Sequence, residues 1–168
     1  LRPLVRSSRV RRWGRLITHP VMAFSVFNVV LIAWHLPGLY DLTLRDHSFH
    51  ILEHLTFLAA GVIACWPLLS PIKEVPRAPY PVQMLYIFGQ SVPMGFLGAI
   101  ITFSQDVLYP FYAEAPRVWA ISPLTDQQIG GMIMKSSAGM IFLLALGIVF
   151  FVWAGREEQA FESSQYSH

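Results

Sequence analysis

The stretch that decides the fold is residues 34–54, WHLPGLYDLTLRDHSFHILEH, which lies between two long apolar runs. It holds four of the six histidines in the chain, and three of them, His47, His50 and His54, are spaced three and four residues apart. On a helix this spacing lines the imidazoles up along one face. Imidazole is a common ligand of zinc, copper and haem iron. The stretch therefore predicts that one apolar helix ends and the next begins at a junction suited to a metal ion.

The composition is typical of an integral membrane protein, since 54% of the residues are hydrophobic and only 13% are charged. A soluble domain carries about 25% charged residues. The formal charge of +2 is too small to indicate a nucleic-acid partner, and the single cysteine, Cys65, excludes an internal disulfide and a multi-cysteine zinc module. The sequence has no Gly-rich phosphate loop, nucleophile elbow or HExxH motif, so it does not indicate an enzyme.

Four apolar segments are candidates for membrane-spanning helices, which need roughly 17–25 residues. The predicted fold is therefore all-α, an integral membrane bundle of four transmembrane helices. Between the spans, residues 39–46 are predicted to form a short loop, and residues 104–128 a longer connector whose aromatic residues lie in the membrane interface. The predicted spans are residues 20–36, 47–69, 82–103 and 129–153.

The segments that flank the spans are polar. Residues 1–17 carry six arginines and are predicted to be a basic membrane-surface arm or linker, residues 18–156 the four-helix transmembrane domain, and residues 157–168 a polar tail without a fold signal. Lys and Arg are most frequent in the arm, so the positive-inside rule predicts that both termini are cytoplasmic. The histidine-rich end then lies at the outer face. Because the chain begins at Leu1, we expect a fragment or a chain trimmed upstream.

Candidate metal ligands converge at that outer end. His35 precedes the helix-ending pair Pro37 and Gly38, and its predicted depth equals that of the pair His50 and His54. Two methionines in the first turns of the last span would add thioether ligands, which favour Cu(I), and an aspartate would orient an imidazole. Copper is therefore one candidate ion, haem iron is another, and the plainer alternative is a solvated helix end. The predicted ligand set is His35, His50, His54, Met132, Met134 and Asp126.

Two polar residues lie inside apolar spans. Asn28 is predicted to hydrogen-bond to a neighbouring helix. Lys135 is expected either to extend its ammonium toward the interface or to pair with Asp126 or Asp106. The third span also has small residues every four positions, which predict a packing seam for another helix. These small residues are Ser91, Gly95 and Ala99.

The sequence resembles the CtaG family of cytochrome c oxidase assembly proteins over nearly all of residues 18–153. The resemblance is carried by WHLPGLY (34–40), by the HxxxH of His50 and His54 with Glu53, by PMGFLGAIITFS (93–104), and by DQQ followed by GxxM (126–134). It implies a multi-pass protein of the bacterial inner (plasma) membrane that assists maturation of caa-type terminal oxidases. It further implies terminal oxidase subunits and the lipid bilayer as partners, without nucleic acid. Family members usually carry further spans upstream. The signature polar positions implied are His35, His50, His54, Asp126 and Gln127.

Three functions remain open on these grounds. The first is a membrane protein that assists cytochrome c oxidase assembly by holding or delivering copper at the outer face. The second is a non-catalytic accessory subunit of a respiratory oxidase complex without its own metal. The third is a b-type haem protein in which two histidines from different spans are axial ligands.

Overall fold

The computed structural model describes residues 8–117 and 120–165, and every regular element within them is an α-helix. The predicted all-α class is thereby confirmed. The first seven residues of the basic arm and the last three of the tail lie outside the described residues. The helices are α1 Ser8–Ile17, α2 Pro20–Trp34, α3 Pro37–Arg45, α4 His47–Leu69, α5 Tyr80–Phe103, α6 Pro110–Glu114 and α7 Pro123–Gln165.

Three of these helices, α4, α5 and α7, are long and apolar enough to cross a membrane. Helices α2 and α3 meet the same test only together, and they are bent by 70° at the break between them. The prediction of a multi-spanning helical bundle is confirmed, with three candidate spans, or four if this bent pair forms one span.

The prediction of a loop over residues 39–46 is wrong, because helix α3 occupies Pro37–Arg45. Proline ends the preceding helix but is well suited to the first position of a new one, since that position needs no N–H donor. Asp46 then separates α3 from α4. Its carboxylate accepts hydrogen bonds from the backbone N–H groups of Ser48 (2.7 Å) and Phe49 (3.3 Å), which is an N-cap for α4.

Helix α7 is longer than the span predicted for it, since it runs over 43 residues. At 1.5 Å per residue such a helix is about 65 Å long, roughly twice the thickness of a bilayer core. Both polar ends must therefore project out of the hydrocarbon region. The polar segment after Trp153, for which the sequence indicated no fold, stays helical to Gln165, because Ala and Glu favour helix there.

A buried hydrogen-bond network joins helices α2, α4 and α5. The amide nitrogen of Asn28 donates to the side-chain oxygen of Gln90 at 2.7 Å, which confirms the predicted interhelical bond. The Gln90 amide nitrogen donates to the Tyr86 hydroxyl (3.0 Å), and that hydroxyl donates to the backbone oxygen of Ala64 (2.8 Å). Within a membrane, packing and such bonds hold helices together, because lipid is as apolar as their side chains.

Helices α5 and α7 pack closely at glycines. A Cβ atom placed on Gly131 would lie 2.8 Å from the backbone nitrogen of Thr102, and one on Gly98 would lie 3.0 Å from the Lys135 Cβ. The predicted seam is offset from this contact, because a Cβ on Gly95 would meet no atom within 4 Å. Glycine at position 131 is therefore what lets the two backbones meet.

The substitution Gly131→Ala should destabilise the protein by about 1–3 kcal/mol, the usual cost of forcing extra atoms into a packed contact. Gly139→Ala on the same helix is the matched control, because a Cβ atom placed there would meet nothing within 4 Å. Thermal unfolding in detergent would measure both. A melting temperature lowered equally by the two substitutions would contradict the close contact.

Replacing Gln90 by Leu should cost about 1–3 kcal/mol, because it leaves the Asn28 amide and the Tyr86 hydroxyl without this buried partner. Ser91→Ala is the control, since the Ser91 hydroxyl bonds only within its own helix, to the Phe88 backbone oxygen. Detergent unfolding followed by circular dichroism tests the difference. Equal stability of the two variants would show that the network does not hold the helices together.

Candidate functional site

The bend after Trp34 creates the polar centre of the site. Near the bend the backbone N–H of His35 bonds to the Ile32 oxygen (3.1 Å) in a tightened last turn. The Leu31 oxygen thereby loses the partner that a regular α-helix would give it. The His35 ring replaces that partner, with its Nδ1 2.7 Å from the Leu31 oxygen.

This contact fixes the tautomer of His35. A carbonyl oxygen can only accept, so Nδ1 must carry the proton and donate it. Nε2 is then left with a free lone pair while the ring is neutral. Metal-ligating histidines commonly use one ring nitrogen in this way, to hold the ring while the other binds the ion.

His35 lines a cavity of about 320 Å³ at this end of the bundle. Its walls come from the ends of α2 and α5, from α3, from the connector between α5 and α7, and from the first turns of α7. Two other predicted ligands, Asp126 and Met134, line the same cavity. The remaining wall is formed by Tyr40, Ile101, Tyr109, Tyr112, Gln127, Gly130 and Gly131.

Three tyrosines form one wall, and the sequence indicated them only as interfacial aromatics or not at all. The rings of Tyr40 and Tyr109 lie 4.2 Å apart, and the hydroxyls of Tyr40 and Tyr112 are 3.1 Å apart. The Tyr109 hydroxyl donates to the His35 backbone oxygen at 3.2 Å. Burial raises the pKa of Tyr109 to about 12, so this donor keeps its proton at neutral pH.

Gln127 holds the connector against α7. Its side-chain oxygen accepts from the backbone N–H of Leu108 (2.7 Å), and its amide nitrogen donates to the Asp106 backbone oxygen (3.2 Å). The side chain is only 7% exposed. The position that the family resemblance marks as a signature therefore shapes the cavity by fixing its connector.

Asp126 and Lys135 do not form the ion pair that was one expectation for Lys135. The Asp126 carboxylate lies 3.9 Å from the guanidinium of Arg117. The Lys135 ammonium instead lies over the ring of Phe103, 5.8 Å from its centroid. Of the two alternatives, the described contacts favour the extended side chain.

His50 and His54 form a second, separate donor group. Their Nε2 atoms are 3.1 Å apart and both side chains are exposed. Two nitrogens on one tetrahedral ion, with bonds of about 2.0–2.1 Å, lie roughly 3.4 Å apart, so the pair needs little movement to chelate an ion. Neither residue lines the cavity of His35.

His54 lies close to the level of His35 along α4. The His35 ring packs edge-on against Phe57, with centroids 6.5 Å apart, and Phe57 follows His54 on α4 by three residues. Three residues of helix rise about 4.5 Å. Within residues 8–117 and 120–165, however, no three His, Cys, Asp or Glu side chains lie close enough together to hold one ion.

The six predicted ligands are thus not gathered into one site. His35, Asp126 and Met134 share the cavity, and His50 and His54 face each other outside it. Met132 is 52% exposed and does not line the cavity. Metal binding by any of them stays a prediction.

Residues 1–156 match the sequence pattern of the cytochrome c oxidase caa3 assembly factor family (Caa3_CtaG). The chain belongs to this family. Among curated proteins, this Caa3_CtaG chain is 26% identical over 153 residues to the uncharacterized proteins Mb0105 of Mycobacterium bovis and MT0111 of Mycobacterium tuberculosis. It is 25% identical over 144 residues to the uncharacterized protein ML1998 of Mycobacterium leprae.

The alignments cover 90% of the Caa3_CtaG chain for the first two relatives and 85% for the third. They cover only 23%, 23% and 22% of the relatives, so the chain spans less than a quarter of their length. No solved structure gives a significant match.

Because the Tyr109 hydroxyl of this Caa3_CtaG chain must stay protonated to donate its hydrogen bond, we expect the folded protein to lose stability in alkali. The pKa of Tyr109 lies above that of a free tyrosine, so its contribution is fully present below about pH 10 and is lost as the pH rises through about 12. The melting temperature of the native protein should fall more steeply over this range than that of Tyr109→Phe. The same slope for native protein and Tyr109→Phe would contradict the assignment.

Proposed function

We propose that this chain is the part of a caa3 oxidase assembly factor that holds copper, as cargo, at the outer face of the bacterial plasma membrane. Membership of the Caa3_CtaG family supports a role in oxidase assembly, and its partners would then be terminal oxidase subunits. The apolar helices support a multi-pass location in the membrane. The distribution of Lys and Arg supports the outer face for the His35 cavity and the cytoplasm for both termini.

The orientation and tautomer of the His35 ring are the observation that supports this proposal. The ring is anchored through Nδ1, which leaves the lone pair of Nε2 for an ion, and His35 lines a cavity that Met134 also lines. Imidazole and thioether together suit Cu(I) better than the hard cations that prefer oxygen. Asp126, at the same cavity, adds a carboxylate that balances the charge of the ion or orients its ligand.

The pair His50 and His54 would act as a second holding point. The pair is exposed, and His54 lies about one helical turn from Phe57, against which the His35 ring packs. Copper would pass between donors by ligand exchange, in which a new bond forms as an old one breaks. Such transfer needs no acid, base or nucleophile, so the chain would act as a carrier and not as an enzyme.

Titration of the purified protein with Cu(I), in competition with bicinchoninate and under ascorbate, tests the proposal. His35→Ala and the double variant His50→Ala/His54→Ala should each weaken binding by about tenfold or more, since even loss of a group that only orients a ligand costs ~10–100-fold. His19→Ala, at the other end of α2, is the matched control and should bind as the native protein does. Unchanged stoichiometry and affinity in the His35/His50/His54 triple variant would refute the proposal.

A second candidate is an accessory subunit of the oxidase complex without its own metal. It is favoured by the separation of the two donor groups among the described residues and by the exposed apolar faces of α5 and α7. This function would be favoured over copper carriage if the protein co-purified stably with oxidase subunits while holding less than one copper per chain. The co-purification should then be unchanged in the triple variant.

A further inference from the structure

The opposite end of the bundle carries a second cavity, of about 480 Å³, where α1, the start of α2 and the end of α4 meet the connector between α4 and α5. Three of its lining side chains, Arg15, His19 and Lys73, are cationic or can donate a hydrogen bond from a ring nitrogen. Thr18 also lines the cavity, and its hydroxyl donates to the Gly14 backbone oxygen of α1 at 2.7 Å. Among the described residues no carboxylate lines this cavity. A pocket with several donors and no acidic side chain is suited to an anion.

The orientation of His19 favours an anion over a metal ion. Its Nδ1 accepts a hydrogen bond from the backbone N–H of Val21 (3.3 Å), as the N-cap of α2. In the neutral ring the proton must then lie on Nε2, which leaves an N–H donor. This is the reverse of His35, whose free nitrogen bears a lone pair.

Arg15 is positioned by the connector. Its Nε donates to the backbone oxygen of Glu74 at 2.9 Å, which uses one of the five N–H donors of the guanidinium. Gly14 contacts the buried Val75 on the same connector, with 3.6 Å between a Cβ placed on the glycine and the valine methyl. Helix α1 is therefore docked on the connector, so that Arg15 and Lys73 line the same space.

The surroundings of the cavity identify this end as a membrane–water interface. Trp13 is 63% exposed on the basic helix α1, and the ring of Tyr80 lies between two guanidiniums, those of Arg77 (5.1 Å) and Arg156 (5.3 Å). Interfacial aromatics and clustered basic residues mark the level of lipid headgroups. Leu16 and Ile17, which lie between the lining residues Arg15 and Thr18 in the sequence, and Leu69, two residues after the lining Pro67, are exposed.

We propose that this cavity binds the phosphate of an anionic phospholipid headgroup through Arg15, Lys73 and the Nε2–H of His19. A phospholipid suits the site better than free phosphate, because its acyl chains would cover the adjoining exposed leucines and isoleucine. The volume of the cavity corresponds to on the order of ten water molecules, which is enough for a phosphodiester and its first substituent. The bound lipid would fix α1 and the connector to the membrane surface.

The test is native mass spectrometry of the full chain in detergent, with phosphatidylglycerol and phosphatidylcholine added in turn. The native protein should retain one phosphatidylglycerol and little phosphatidylcholine. Arg15→Gln/Lys73→Gln should weaken phosphatidylglycerol binding about 100-fold, at about tenfold for each charge-assisted contact to the phosphate. The matched control Arg9→Gln/Arg12→Gln removes the same charge from exposed positions on α1 outside the cavity, and it should weaken binding less than fivefold.

An equal loss in the two double variants would overturn the proposal, because binding would then follow net charge alone. Equal retention of the two lipids, or displacement of phosphatidylglycerol by millimolar inorganic phosphate, would also overturn it. If the Arg15 variant unfolds, Lys73→Glu provides the test instead. Lys73 lies in an exposed turn, where a substitution should not disturb folding. This charge reversal should abolish the preference for phosphatidylglycerol, and an unchanged preference would refute the site.

Discussion

The hydrogen bond from the His35 ring to the Leu31 carbonyl is the interaction on which the candidate site depends. In hydrocarbon a polar backbone group must find its partner within the protein. Pro37 prevents α2 from continuing, the last turn tightens, and one carbonyl is left over. The imidazole that follows in sequence satisfies it. The same bond sets the proton on Nδ1 and leaves Nε2 free, so a structural requirement of the bend determines the chemistry available to the cavity.

The bundle around this bend is held by few but specific contacts. The chain of bonds through Asn28, Gln90 and Tyr86 joins three helices, and the Gly131 contact joins α7 to α5. These contacts fix the positions of the elements that form the cavity walls. The two ends of the bundle then differ in chemistry. One end presents a histidine lone pair, a thioether and phenols, and the other presents N–H donors and cations.

The sequence predicts the helices of this protein better than it predicts their arrangement. Both ends of α4 agree with the prediction, because Asp46 is a clear N-cap and prolines follow the apolar run. Helix α3 was missed because Pro37, which ends one helix, also begins the next. The polar end of α7 was missed because its charged residues suggested solvent exposure, which a helix outside the bilayer tolerates.

For the candidate site, too, the sequence predicts the residues better than it predicts their arrangement. Counting residues from the ends of the spans placed His35, Asp126 and Met134 at one depth, and they do share a cavity. Spacing also placed His50 and His54 together on one helix face. It could not give the position of that helix face relative to the cavity, which His50 and His54 do not line. The phenolic wall and the bond that orients His35 depend on contacts distant in sequence, which residue spacing does not encode.

The central claim is that the cavity of His35 and Met134 binds Cu(I). X-ray absorption at the copper edge of the Cu(I)-loaded full chain tests it most directly, because sulfur and nitrogen neighbours scatter differently. The account predicts a sulfur neighbour beside imidazole nitrogen, lost in Met134→Leu and retained in the control Met132→Leu, whose side chain lies outside the cavity. A spectrum without sulfur in the native protein, or one unchanged by Met134→Leu, would contradict it.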